Sequence, residues 1–197
     1  MSPRSSAANA ARTKQRIVEE CVLLASSEGL EGITIGSVAS RVSMSKAGIV
    51  GPFGSREALQ EAALRRAVEV FVTSVAAPAI PHEPGLARLR VVVDSWIGYL
   101  ADSPFPNGCF MTAVSSEIDG QPGPLCDIVK ESMGWFLGFL REEVAAAVDA
   151  HELNTDPDDV VLTLFGLAAA LNQELQLFGR TESIARIRRL MHAAVEP

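Results

Sequence analysis

An all-α fold is what this chain predicts, and three observations carry the expectation. Apolar residues recur at spacings of three and four along most of the 197 positions. Runs that alternate with period two are hard to find. Ser, Thr, Asp, Gly and Pro fall where helices start and stop. About nine helices follow, as an N-terminal three-helix unit with a larger helical unit behind it.

From Ala11 to Glu28 the residues Ile17, Cys21, Leu24 and Ala25 form one stripe, and Gly29 stands where a helix end takes a left-handed residue. Thr34 is the expected cap of a second helix, from about Ile35 to Val42. Ser45 caps a third from Lys46 to Gly51, with a break at Ser43-Met44 and with Pro52 and Gly54 as its stop. Arg56 to Val75 reads as a fourth helix, and Pro78, Pro81, Pro84 and Gly85 as a stiff, extended connection after it. The expected division is a helix-turn-helix unit over 1–55, a connecting helix over 56–77, and a helical unit over 78–197.

In that second unit Leu86 to Ala101 makes the fifth helix, and Cys109 to Ile118 a short sixth, after a break at Ser103-Pro104 and Pro106-Asn107-Gly108. Leu125 to His151 is long and amphipathic, with Ile128, Val129, Phe136, Leu140 and Val144 on its stripe. Asp156-Pro157-Asp158 opens the eighth helix with acidic groups at the positive end of the dipole, and Gly179 closes it. Thr181 is the expected cap of a ninth helix ending near Val195.

Charge divides the chain as the helices do. The whole sequence has 17 Lys and Arg against 24 Asp and Glu. Residues 1–66 hold nine of the cations (Arg4, Arg12, Lys14, Arg16, Arg41, Lys46, Arg56, Arg65, Arg66) and only six of the carboxylates, a net of +3; the remainder is net −10. A polyanion is therefore met by the N-terminal third. The two short helices lie inside that third. Ala39 supplies the small side chain their crossing needs, Val38, Val42 and Ile49 face a small core, and Ser45, Lys46, Ala47 and Val50 project from the start of the third helix toward a groove.

Other function classes find little support. No run approaches the length of a membrane span, and the first residues lack the apolar stretch of a secretory signal, so a cytoplasmic protein with no membrane contact is expected. Cys21, Cys109 and Cys126 are odd in number and far apart, against a disulfide framework or a zinc site. They are expected as reduced thiols, with Cys109 the candidate for a redox-sensing alternative because Asn107-Gly108 suggests an accessible turn. His82, His151 and His192 neighbour no nucleophile or ligand set, and no phosphate-binding glycine loop follows a strand. Neither an enzyme nor a cofactor is expected.

The residues that make up the two-helix unit resemble a known family. Arg16 to Leu59 is similar to the DNA-binding domain of TetR-type (TetR/AcrR) transcriptional repressors, through Gly29, Thr34, Val38-Ala39, Met44-Ser45-Lys46, and Phe53 followed three residues later by Arg56-Glu57. NGCFMTAVSSEIDGQPGPLCDIV resembles the regulatory domain of one TetR subgroup. The resemblance implies a ligand-responsive regulator, a repressor released from a palindromic double-stranded DNA operator by a small apolar effector. In it Thr34 and Lys46 contact phosphates or base edges, Met44, Ser45 and Ala47 lie at the groove, and Arg56 anchors the backbone. Three residues depart from the family pattern: Ser43 stands where a glycine is usual, and Val50 and Pro52 where Tyr and His are usual. Val50 can instead meet a thymine methyl.

A palindrome calls for a homodimer, and in TetR-like proteins the last two helices supply it. Here Leu164, Leu167, Leu171, Leu175 and Phe178 flank the small residues Gly166, Ala168, Ala169 and Ala170, with Ile184, Ile187 and Leu190 following. The effector pocket that the family places among helices five to eight is expected at Trp96, Tyr99, Phe110, Met133 and Phe136, with Asn172, Glu117 and Gln173 as polar candidates. The alternative reading is an all-α ligand-sensing or protein-binding dimer whose DNA-reading head has degenerated, consistent with Val50 and Pro52.

Overall fold

The computed structural model describes residues 3–196, with side chains from Ala7 onward. Arg4, one of the nine N-terminal cations, lies outside the described side chains. Among the described residues there are nine α-helices and no strand: α1 (Pro3–Glu28), α2 (Ile35–Arg41), α3 (Lys46–Phe53), α4 (Arg56–Phe71), α5 (Leu86–Ala101), α6 (Phe110–Glu117), α7 (Pro124–Asp149), α8 (Pro157–Gln176) and α9 (Ser183–Ala193). The all-α expectation holds.

Four boundaries differ from expectation, each for a local reason. Helix α1 starts eight residues earlier, because Ala7, Ala8, Ala10 and Ala11 favour helix without the apolar stripe that marks a buried one. Pro52 does not stop α3 but sits in its last turn, where it forfeits one intrahelical bond; Gly54, at φ 78°, ends the helix. Helix α4 does not yield to an extended linker at Pro78. It continues as a π turn over Val72–Ala76 and a 3₁₀ turn over Ala77–Ala79 that accepts Pro78 near its start, where a missing N–H is harmless. Thr181 does not cap α9. Glu182 occupies the cap position with helical dihedrals, and the joint is tied instead by Glu174 of α8, which accepts from the Ser183 hydroxyl at 2.7 Å and from Arg180 Nη1 at 3.2 Å.

At the other ends the caps expected at Thr34, Ser45 and Asp156 appear, joined by Ser37 and Ser55. Thr34 and Ser37 form a reciprocal capping box on α2, Ser45 accepts from Gly48 N, Ser55 caps α4 through Ala58 N, and Asp156 caps α8 through Asp158 N. Between α2 and α3, Met44 N donates to Ala39 O at 2.9 Å and Ser43 N to Ser40 O at 3.2 Å, a Schellman-type turn with Ser43 at φ 54°. Serine fills a left-handed position that glycine takes without a Cβ penalty.

Buried residues form one continuous cluster from Ile17 to Val195. Helix α4 is its spine: one face of α4 packs on α1, and farther along it meets α7. The three-helix head and the larger helical unit behind it thus share a core. A buried carboxylate fixes the start of the second half, where Glu143 accepts from Gly85 N at 2.9 Å and from Arg88 Nη1 at 2.9 Å. Both oxygens of this buried side chain are thus paired, which offsets the loss of their hydration.

Candidate nucleic-acid interface and ligand cavity

The head closes over Ile17, Cys21, Leu24, Leu30, Ile33, Val38 and Ile49, all nearly or fully excluded from solvent. Ala39 and Val42 are buried with them, as the crossing of α2 on α3 requires. Burial pushes the Cys21 thiol up to about 12, with Glu20 adding to it, so this sulfur stays protonated. What the head leaves outside is the first turn of α3: Ser45, Lys46 and Ala47 are exposed, Met44 is half-buried, and Val50 is 41% exposed. Thr34, at the start of α2, is exposed beside them. The structure therefore brings six of the seven expected DNA-contacting residues to one surface, built of short side chains around one ammonium group.

Arg56 is placed differently. Its Nε donates to Ile33 O at 2.7 Å, and its Nη2 donates to Glu31 O at 3.0 Å and pairs with Glu31 Oε2 at 2.8 Å. The guanidinium holds the segment before α2 in place, so its role in the free head is architectural. The partners are carbonyls 23 and 25 positions away, which no local motif announces.

The remaining cations sort by partner. Arg41 pairs with Glu20 and Arg66 with Glu19 and Glu69. Among the described residues Lys14, Arg16 and Lys46 have no carboxylate at salt-bridge distance. Lys14 lies over the Phe53 ring, 5.4 Å from its centroid, which joins α1 to the end of α3. Arg16 donates to Val42 O at 3.1 Å at the end of α2. Sequence spacing alone did not mark these α1 residues as part of the same face; their positions beside α2 and α3 do.

Behind the head, Phe71 at the end of α4 joins Trp96, Tyr99 and Phe136 in an edge-to-face cluster with centroids 4.8 to 6.4 Å apart. Beside it lie two adjoining cavities of about 50 and 40 Å³ whose walls share Trp96, Cys109, Thr112, Met133 and Phe165. Phe71 and Val72 reach the larger one where α4 gives way to its π turn. Trp135, 49% exposed and stacked on Phe139, stands at its edge. Neither wall carries a charged side chain among the described residues; Thr112, Ser132, Ser115 and the Cys109 thiol are the polar groups.

Of the residues expected to form this pocket, Trp96, Met133 and Phe136 line it. Tyr99 and Phe110 belong to the packed core around it, Tyr99 against Phe71 and Phe110 against Phe105. The Tyr99 hydroxyl is buried without a hydrogen-bond partner among the described residues, and burial, then the neighbouring Cys109, pushes its pKa above the usual phenol range. Asn172 serves the architecture instead, since its Oδ1 accepts from Cys109 N at 2.8 Å and secures the start of α6. Glu117 and Gln173 line neither cavity, and Glu117 points back to the head. Cys109 is buried rather than on an accessible turn, because Gly108, at φ 77°, is packed so closely on Asn172 and Gln176 that a Cβ there would come within 2.6 Å of Gln176 Cγ. The residues missed by the pattern were Thr112 and Ser132, small positions with no signal apart from the fold.

Exposed large apolar residues gather on the last two helices. Leu162 is 70% exposed, Leu177 and Phe178 follow, and Leu190 lies on α9. Leu162, Gly166, Ala170 and Leu177 share one stripe of α8 with open space at Gly166. Leu164 and Leu171, expected on that stripe, are instead fully buried within the chain.

Comparison with known proteins agrees with this architecture. A family model described as the tetracyclin repressor-like, C-terminal domain matches residues 85–191, more than half of the chain. No curated protein sequence matches. Among solved structures, a TetR transcriptional regulator from Chloroflexus aurantiacus superposes with a TM-score of 0.84 at 20% identity, covering 94% of each chain. AibR, solved in complex with isovaleryl coenzyme A and operator DNA, gives 0.72 at 19% identity over 87% of this chain and 93% of its own. A protein from Saccharomonospora viridis described as a transcriptional regulator, in complex with choline, gives 0.76 at 18% identity over 93% and 95%.

Proposed function

Because the chain belongs to the TetR family of transcriptional regulators, we propose that it is a one-component repressor: a homodimer that binds a palindromic operator through α3 and leaves it when a small, uncharged, largely apolar or aromatic effector enters the cavity beside Trp96. The observation that carries the DNA-binding part is the exposed tip of α3, where Lys46 has no carboxylate partner and Ser45 and Ala47 leave room for a groove wall. Lys14 and Arg16 flank it from α1. Thr34, Met44 and Val50 complete the surface, with Val50 offering an apolar contact to a thymine methyl. Arg56 supports this surface from behind by holding Ile33 and Glu31.

The effector class follows from the walls. A charged ligand would enter a lining with no counter-charge and would lose its hydration without replacement. Cavities of about 50 and 40 Å³ hold a few waters, below the roughly 300 Å³ of a drug-sized site, so binding requires the walls to open at the exposed Trp135 edge. The exposed stripe of α8 together with Leu190 of α9 is the dimer face of this reading. AibR with isovaleryl coenzyme A and operator DNA, and the choline complex, support the general scheme of effector and operator on this fold.

The test is a mobility shift with the purified protein and the DNA upstream of its own gene. Retardation by the wild-type protein, weakened by Lys46→Ala with its helical content retained, is the expected result. No retardation of this or any other duplex would favour the other reading, a helical sensor whose head no longer reads DNA. Val50 and the proline at 52 are the features that favour that reading.

A further inference from the structure

We propose that the effector is an elongated, uncharged amphiphile, and that Met133 sets how long a molecule the site accepts. This rests on the reading of the cavity as the effector site and adds the shape and chemistry of what fills it. The two inner voids hold only a few waters. They are not the end of the space. A groove of about 720 Å³ lies between the end of α6, the turn over 119–123 and the first half of α7. Among the described residues Met133 is the one that lines the groove and both voids. Ser115 and Leu137 each line the groove and one of the voids, so these three residues mark where the spaces adjoin.

Of the three, Met133 is the one able to move. It is unbranched, with three rotatable bonds, and only half-buried. Leu137 is branched, and the Ser115 hydroxyl is tied to Thr112 O at 3.0 Å. The walls on either side are firmer. Trp96 and Phe136 brace each other edge to face at the voids. At the groove, Gln121 fixes the turn to the end of α6 twice, through its N–H to Ile118 O at 3.0 Å and its side-chain amide to Glu117 O at 3.1 Å. A swing of the Met133 thioether therefore joins spaces that already exist, and the joined space falls within the roughly 300 to 1,000 Å³ of ordinary ligand sites. Opening at the Trp135 edge admits a molecule to the larger void; Met133 sets whether it stops there.

The two parts differ in chemistry. The void walls carry no charged side chain among the described residues, so they take the apolar end of a ligand. The groove carries Lys130 and Asp119, one of each sign, and neither has a salt-bridge partner among the described residues. An ionised head group is attracted by one of them and repelled by the other. A neutral hydroxyl serves both, because it can accept from the ammonium and donate to the carboxylate.

The test is a series of straight-chain primary alcohols from butanol to octanol, with binding read by tryptophan fluorescence. Both tryptophans of the chain, Trp96 and Trp135, line the larger void. In wild type the affinity is expected to rise through the whole series by about fourfold per added methylene, as for the burial of each one. Gly134→Leu narrows the groove without entering the voids: Gly134 lines the groove, not the voids, and a Cβ there meets nothing within 4 Å. In that variant butanol is expected to bind as in wild type, while the gain ends at the shorter members. Met133→Phe, a stiffer plug, is expected to flatten the long end as well, and Gly134→Leu decides alone if that variant loses helical content. Octanol binding at the wild-type level in Gly134→Leu would overturn the proposal, and so would a wild-type affinity that stops rising once the voids are full. Octanoate and octylamine are expected to bind more weakly than octanol, and tighter binding of either would overturn the uncharged class. Short alcohols that bind with a gain that ends early would sink this proposal alone, whereas no binding by any alcohol would remove the cavity as the effector site too.

Discussion

The head and the regulatory half are both helical and share one core, yet they leave opposite kinds of surface unfinished. The head buries its apolar groups almost completely, with Val50 its only large exposed hydrophobic among the described residues, and keeps cations without carboxylate partners at Lys14, Arg16 and Lys46. The regulatory half exposes Ile80, Trp135, Leu162, Leu177, Phe178 and Leu190; of its eight cations Arg88, Arg141, Arg180 and Arg188 each hold a carboxylate, the other four have none at salt-bridge distance among the described residues, and its net charge is −10 against +3 for residues 1–66. A net positive charge on a dry core suits a polyanion, and unpaired apolar surface suits a second protein face. The contrast teaches that function here is written in what each half fails to satisfy within the chain.

The largest effect that sharpens the contrast lies inside α3. Ile49 is fully buried and Val50 next to it is open, so Ile49→Ala is expected to cost about 2 to 5 kcal/mol of stability. Val50→Ala is expected to stay within about 0.5 kcal/mol. Chemical denaturation of both variants checks this, and equal losses would mean that the head core is not closed as described. Next in size is the α8 face. Leu162→Glu combined with Phe178→Glu places charge on two of the most exposed apolar positions, and is expected to weaken dimerisation by more than about tenfold. Sedimentation velocity reads it, and an unchanged dimer would move the interface elsewhere.

Smaller effects test individual joints. Ser43→Gly relieves a left-handed serine and is expected to stabilise the head by about 1 kcal/mol, visible as a raised melting temperature. The mildest concerns pH. The Ser183 hydroxyl, then Arg180, holds the Glu174 carboxyl below its ordinary range. A depressed carboxyl contributes stability that is fully present above its unfolded pKa and lost as pH falls through the folded one. The melting temperature of wild type is therefore expected to drop on acidification slightly more than that of Ser183→Ala, so that the advantage of wild type is largest at neutral pH and shrinks in acid. A constant difference across that range would show that Glu174 does not sense Ser183.

Much of this was legible from sequence where a residue acts on its neighbours. Thr34 and Ser45 cap the helices they precede, Gly29 and Gly54 end the helices before them, and Val38, Ala39 and Ile49 face inward as helical spacing requires. What sequence hid were bonds between distant residues. Arg56 looks like a free cation until Ile33 and Glu31 are folded against it, Asn172 like a pocket residue until it meets Cys109 N, and Glu117 like an effector ligand until it turns to Leu30. Apart from the Glu31 carboxylate beside Arg56, these partners are backbone groups, and backbone groups carry no signature in the amino-acid letters. The α8 stripe was legible as amphipathic, but which leucines face inward depended on packing against α5, α7 and α9 that one sequence does not specify.

The central claim is that the exposed start of α3 meets a DNA backbone through Lys46, and the salt dependence of duplex binding tests it most directly. Titration of wild type and Lys46→Ala onto the same duplex at several salt concentrations should give a steep fall in affinity with salt for wild type. The slope for the variant should be shallower by about 1 per subunit, since each phosphate left without its protein cation keeps about one counterion that would otherwise be released. Identical slopes for the two proteins, or wild-type binding that ignores salt, would contradict the account.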